Sequence, residues 1–242
     1  MSVAEAAQRI AADLEIDEQG DVVRWRDQDG QRRQTGLHDY AQLYAVQGLY
    51  EAVYVVRLGG RSPLLLAETL AEVVPVAERA GHRVLDVGAG TGAVGEHLHR
   101  LGFPRVAGTD LEPASEVAVR RDRGDAYADL RTLDLLQLDR DDERWLSDLA
   151  PTVVTVAAAV GFGHLPAEAL QVLTGLLRPG GLLALTVAKD LEDEPALAAH
   201  AALLSGPAYV RRLERVGPHR ATSSGERLEV AALVLERTGE PA

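Results

Sequence analysis

The chain has 242 residues, 46% of them apolar, with a formal net charge of -12 and no cysteine. That length can bury one full core, the lack of cysteine excludes disulfides, thiolate nucleophiles and Cys-ligated metals, and the charge repels a phosphate backbone, so no nucleic-acid partner is expected. The apolar runs fall short of the roughly 20 residues that cross a bilayer, and the first residues, with Glu5, Arg9 and Asp13, carry no apolar signal segment, so a cytoplasmic protein without membrane attachment is expected.

Ser2 and Glu5 have capping-box spacing, and Val3, Ala7, Ile10 and Leu14 follow at helical intervals, predicting a short amphipathic helix. Val22, Val23 and Trp25 ahead of Asp27 to Gly30 predict a strand entering a turn, with a possible hairpin over residues 21–35. Tyr40, Tyr44, Tyr50 and Tyr54 recur near multiples of three or four residues. Such a stripe reads either as a core-facing helical face or as an aromatic lid. Ser62-Pro63 opens a helix running towards Val74, with Pro75 ending it. Residues 1–75 are expected to form an N-terminal extension and helical cap, and 76–242 the core domain.

From Arg83 onward strand and helix patterns alternate, as in a parallel sheet covered on both faces. Arg83 to Val87 is the first strand; Val94, Leu98 and Leu101 mark a helix; Arg105 to Thr109 is the second strand; and Val153 to Ala159 is a continuous apolar strand. Pro166 to Leu177 reads as a helix closed by Arg178-Pro179-Gly180-Gly181, and Leu182 to Ala188 as another buried strand. Ala208 to Leu213 and Leu228 to Leu235 are expected to be two antiparallel strands, separated by Gly217-Pro218 and Ser223 to Gly225.

The chemistry concentrates at Val84-Leu85-Asp86-Val87-Gly88-Ala89-Gly90-Thr91-Gly92, an apolar strand running into a glycine-rich turn and a helix. Missing side chains let a backbone approach a bound nucleoside, and Asp110, at the end of the second strand, is placed to accept from both ribose hydroxyls. Gly88, Gly90 and Ala93 also satisfy the dinucleotide pattern G-x-G-x-x-A, so the glycines alone leave a nicotinamide cofactor open.

The whole string Leu-Asp-x-Gly-x-Gly-x-Gly resembles the first motif of class I S-adenosylmethionine-dependent methyltransferases. The likeness extends to Gly108-Thr109-Asp110-Leu111-Glu112-Pro113, Asp134-Leu135, Gly163-His164-Leu165-Pro166 and Leu177-Arg178-Pro179-Gly180-Gly181. Upstream, Tyr40-Ala41 and Tyr44 are similar to an aromatic-Ala-x-x-Tyr segment of small-molecule members, with Ala45 where an Asp usually stands.

The resemblance implies a doubly wound, seven-stranded, mostly parallel α/β sheet with its last strand antiparallel, binding S-adenosylmethionine and releasing S-adenosylhomocysteine. Carried over residue by residue, it implies cofactor contacts from Tyr44, Asp86, Gly88, Ala89, Gly90, Thr91, Gly92, Asp110, Leu111, Asp134, Leu135 and Ala157. It implies a small-molecule acceptor near Tyr40, Tyr50, Phe162 and His164, methylated on O or N. Asp86 has a competing structural reading, bonding its own loop, and Asp134 one as an ordinary loop carboxylate.

His164 is the expected general base, just beyond the carboxyl end of a central strand where open α/β sheets place ligands; a purely packing histidine is the alternative. His97 and His99 lie two apart on a helix and face different ways, so no metal site is expected. The sequence Ala157 to Gly161 replaces the Asn-Pro-Pro-Tyr or Asp-Pro-Pro-Tyr of enzymes that methylate amide or base nitrogens. A protein or peptide methyltransferase, a cofactor-binding module without turnover and a nicotinamide-dependent oxidoreductase stay open as alternatives.

Overall fold

A computed structural model describes residues 1–160 and 164–241. The chain opens with α1 (Val3–Ala11), which carries the capping box at Ser2. A small antiparallel sheet follows, of β1 (Glu15–Ile16), β2 (Val22–Arg26) and β3 (Arg32–Gly36). The predicted hairpin is therefore present, with one short strand added in front of it. Next come α2 (Tyr40–Ala45), a π-helix at Glu51–Arg57, α3 (Ser62–Val73) and the single turn α4 (Val76–Arg79).

The larger sheet comprises β4 (Val84–Val87), β5 (Val106–Asp110), β6 (Asp129–Thr132), β7 (Val153–Val156), β8 (Leu182–Ala188), β9 (Tyr209–Ala221) and β10 (Arg227–Arg237). Its order is β6-β5-β4-β7-β8-β10-β9. Strands β4 to β8 are parallel, and β10 runs antiparallel to both β8 and β9. Five helices interleave with them: α5 (Ala93–Arg100), α6 (Ala114–Asp122), α7 (Arg140–Leu149), α8 (Ala167–Leu176) and α9 (Ala198–Leu204). This is the doubly wound arrangement the alternating pattern predicts.

The central strands read as unbroken apolar runs because both faces are covered. Leu85, Val154, Leu183 and Leu185 pack with Leu146, Leu170 and Leu173 of α7 and α8. Their neighbours Val84, Val153 and Leu182 face the other way, against Leu66 and Leu70 of α3 and Leu98 of α5. A third cluster joins the N-terminal elements to α6 through Ala118. Among the described residues no helix is long and apolar enough to cross a membrane.

Two expected boundaries move. Strand β7 ends at Val156 instead of running to Ala159, because Ala158 adopts φ 55°, a left-handed conformation that leaves the ladder. Its N–H goes instead to Thr186 Oγ1 at 2.8 Å. Strand β9 continues through Gly217-Pro218 to Ala221, where the sequence suggested a break. It lies at the sheet edge, where a residue without an N–H costs no ladder bond on the outer side.

Leu85, with 0% exposure in the central strand, tests this packing. Leu85→Ala is expected to lower the unfolding free energy by about 2–5 kcal/mol in urea titrations, and a loss below about 1 kcal/mol would contradict the described core.

Candidate active site

The turn after β4 is built from alternating left-handed glycines: Gly88 at φ 75°, Gly90 at φ 55° and Gly92 at φ 90°. Side chains rarely adopt these angles, and space is short as well. A Cβ on Gly88 would meet the Ala159 methyl at 3.3 Å, and one on Gly90 would meet the Tyr44 hydroxyl at 3.2 Å. The Gly88 and Ala89 N–H groups donate to the Thr109 carbonyl, at 2.9 and 3.0 Å. The Gly90 N–H donates to Asp110 Oδ2 at 2.7 Å, and Ser115 Oγ donates to the Gly90 carbonyl at 2.6 Å. The turn is thus fixed by the tip of β5 and the first turn of α6.

Asp110 also accepts from the Glu112 N–H at 2.9 Å on Oδ1. Burial raises its carboxyl above the ordinary range, opposed by these backbone N–H groups. A carboxylate offers about four lone-pair positions, so two bonds leave acceptor capacity on each oxygen. Leu111 beside it is 67% exposed, a large apolar surface at the strand tip.

Asp134 sits beyond β6 and accepts from the Leu136 N–H and Gln137 Nε2, both at 2.9 Å, so it braces its own turn. Leu135 is buried in the core, whereas Leu136 is 51% exposed. Leu135, expected to border a ligand, thus faces inward, and the outward apolar side chain is its neighbour. Ala157 follows the end of β7 and is half-buried.

Asp86, expected to touch the cofactor, also faces inward. It has 0% exposure, because its alternate-facing position on β4 aims it beneath the turn. Tyr127 Oη and Thr155 Oγ1 each donate to it at 2.6 Å. Burial is the main cause that lifts its pKa to about 7, with the two hydroxyls opposing. Of its competing readings, the structural one describes this geometry, though the partners come from neighbouring elements and not from its own loop.

Above the turn the four tyrosines make a closed aromatic circuit. Ring centres are 5.7 Å apart for Tyr40–Tyr44, 5.5 Å for Tyr44–Tyr50, 4.8 Å for Tyr50–Tyr54 and 6.4 Å for Tyr40–Tyr54. The stripe is part of the core, with Tyr44 and Tyr54 buried and Tyr40 and Tyr50 partly open. Burial raises all four phenols, so each keeps its proton at neutral pH.

No motif or spacing signals how this circuit is held. Arg121 donates to the Tyr44 and Ala45 carbonyls at 3.0 Å. Arg123 bridges Glu51 of the π-helix, Glu96 of α5 and the Thr91 carbonyl, at 2.8 to 3.0 Å. Thr91 itself is buried under the turn with 3% exposure, and Ala89 with 4%.

His164 packs edge-on against Tyr40, 5.7 Å between centres, with His38 6.1 Å away. Partial desolvation lowers its pKa, and the His38 charge adds to this, so the imidazole is neutral and basic near pH 7. His38, not anticipated from the sequence, thus joins the site. Phe162 lies outside the described residues.

The fold and the turn define a class I methyltransferase architecture. The methyltransferase domain family matches residues 60–221, and the chain belongs to the S-adenosylmethionine-dependent methyltransferases. A ribosomal protein L11 methyltransferase of Pseudomonas paraeruginosa is 36% identical over 109 residues, 45% of this chain and 34% of that protein. The match thus spans about a third of that relative.

An S-adenosylmethionine-dependent methyltransferase from Anabaena variabilis superposes with a TM-score of 0.54 at 15% identity, covering 73% of this chain and 84% of that one. Magnesium protoporphyrin IX methyltransferase from Synechocystis PCC 6803, with bound S-adenosylmethionine, gives 0.51 at 18%, covering 73% and 79%. The residues fit the cofactor: a turn in which a Cβ would collide, an acid with spare lone pairs and an exposed leucine beside it.

The buried Asp86 carries a pH dependence. The fold raises it from 3.8 to about 7, so the native state holds a proton that the unfolded chain has released in between. Its contribution is fully present below about pH 4 and lost as pH rises through about 7. Asp86→Asn should flatten the decline of stability across that window in urea unfolding, and an unchanged slope would count against a neutral Asp86.

Proposed function

We propose that the protein transfers the methyl group of S-adenosylmethionine to an O or N atom of a small-molecule acceptor enclosed between the glycine turn and residues 1–75, acting as a cap. The observation that carries this reading is the aromatic circuit, whose Tyr44 hydroxyl lies directly over Gly90. A bulky macromolecular acceptor would have to displace a cap anchored by Arg121 and Arg123. The net charge of -12 adds electrostatic opposition to nucleic acid.

In this reading Asp110 accepts from the ribose hydroxyls, and the side-chain-free backbone of Gly88, Ala89, Gly90, Thr91 and Gly92 admits the nucleoside. Leu111, Leu136, Asp134 and Ala157 border the adenine and the open edge, while Asp86 supports the turn from below. Bound there, the cofactor supplies an electrophilic methyl on a positively charged sulfur. The remaining demand on the protein is geometric, because a nucleophile held about 3 Å away in line reacts without covalent help. Tyr40, Tyr50 and Tyr54 exclude water and orient the acceptor, and the neutral imidazole of His164 takes a proton from the attacking O or N.

A protein acceptor is the second reading, favoured by the 36% identical stretch shared with the ribosomal protein methyltransferase. Radiolabelled methyl found in protein, and not in a small-molecule fraction, would select it.

Asp110→Asn is expected to weaken S-adenosylhomocysteine binding at least tenfold, or about 1.4 kcal/mol, in calorimetric titrations; wild-type affinity in the variant would place the ribose elsewhere. His164→Ala should lower kcat by roughly 10²–10⁴-fold with the product affinity unchanged. Full turnover would remove it as the base.

A further inference from the structure

Strand β9 carries a bulge where it reaches the cap. Leu228 pairs with Arg220 and Glu229 with Pro218, so His219 is an extra residue in the ladder. Bulges re-aim side chains beside functional sites, and this one is pinned on both sides of Arg220. The Arg61 N–H donates to the His219 carbonyl at 2.9 Å, and the Ala221 N–H donates to the Leu58 carbonyl at 2.6 Å. His219 Nδ1 lies 2.7 Å from the buried Ser62 Oγ. Burial, helped by the Arg220 charge, lowers His219 to about 4, so the positive charge here belongs to Arg220.

Arg220 is half-buried, and its guanidinium donates to the Ala221 carbonyl at 3.1 Å and sits 6.0 Å from the centre of the Tyr54 ring. Among the described residues no carboxylate pairs with it. The Tyr54 ring stacks in turn on Tyr40, 6.4 Å between centres, so the arginine lies one ring away from the tyrosine that His164 touches. In a chain of net charge -12, a guanidinium that lacks a carboxylate partner beside an aromatic wall is a local exception to the prevailing field. A planar fork of this kind matches a carboxylate with two parallel bonds, and the neighbouring rings suit an apolar body.

We propose that Arg220, with the rings of Tyr54 and Tyr40, forms an acceptor subsite for a small carboxylic acid, the carboxylate serving as anchor while a second O or N group is presented to His164. The proposal rests on the methyltransferase reading with a small acceptor.

Benzoate and benzyl alcohol, matched in their ring and differing in charge, probe it by calorimetry on the S-adenosylhomocysteine-saturated protein. Benzoate is expected to bind at least tenfold more tightly, and Arg220→Gln to abolish that preference while leaving the S-adenosylhomocysteine Kd within about twofold. A second readout uses the wild type alone: added chloride should weaken benzoate binding and leave benzyl alcohol unaffected. Equal wild-type affinities, no benzoate binding, an equal response to chloride or a preference that survives Arg220→Gln would overturn the subsite. Failure of the wild type to bind S-adenosylhomocysteine would instead overturn the underlying methyltransferase reading.

Discussion

Everything at the carboxyl edge of the sheet is referred to the carboxylate of Asp110, which receives the Gly90 N–H on one oxygen and the Glu112 N–H on the other. Hydrogen bonds to a charged acceptor contribute about 1.5–3 kcal/mol each, so the one from Gly90 offsets part of the entropy lost in fixing the turn. The same bonds oppose the burial, which still leaves the carboxyl above its ordinary range. The carboxylate is thereby oriented before any ligand arrives, the preorganisation that binding sites require.

The turn is also fixed from beneath and above. Below, Asp86 with Tyr127 and Thr155 forms a satisfied polar knot at the centre of the sheet, tolerable in an apolar setting because both carboxyl oxygens have partners. Above, Arg121 and Arg123 fasten the tyrosine circuit to α6 and to the turn itself. The tyrosine segment, the turn and the β5 tip are therefore tied together by hydrogen bonds. The pinned bulge of β9 adds a wall from the far edge of the sheet, so residues distant in sequence converge on Tyr40 and Tyr54.

Most of the fold is legible in the sequence, because buried parallel strands write themselves as apolar runs and a glycine-rich turn between a strand and a helix marks the carboxyl edge of such a sheet. Leu182 to Ala188 is read to the residue. The failures have local causes. Asp129–Thr132 forms β6 at the opposite edge with a mixed, partly exposed sequence, so no apolar run announces it. Ala158 leaves β7 through a backbone conformation that alanine seldom takes. Pro218 looks like a break but sits on an edge strand.

At the site, Asp110 closes β5 with Leu111 exposed beside it, whereas Asp86 and Leu135 are buried because strand and turn alternation, invisible in a motif string, decides which neighbour faces out. His38 and Arg220 belong to no motif. Only tertiary contacts bring them to the tyrosines.

The most direct test of the account is a crystal structure of the protein with S-adenosylhomocysteine. It is expected to show both ribose hydroxyls bonded to the Asp110 carboxylate, adenine against Leu111 and the backbone of residues 88–92 beneath the nucleoside. A product bound away from that turn, or a ribose that ignores Asp110, would contradict it.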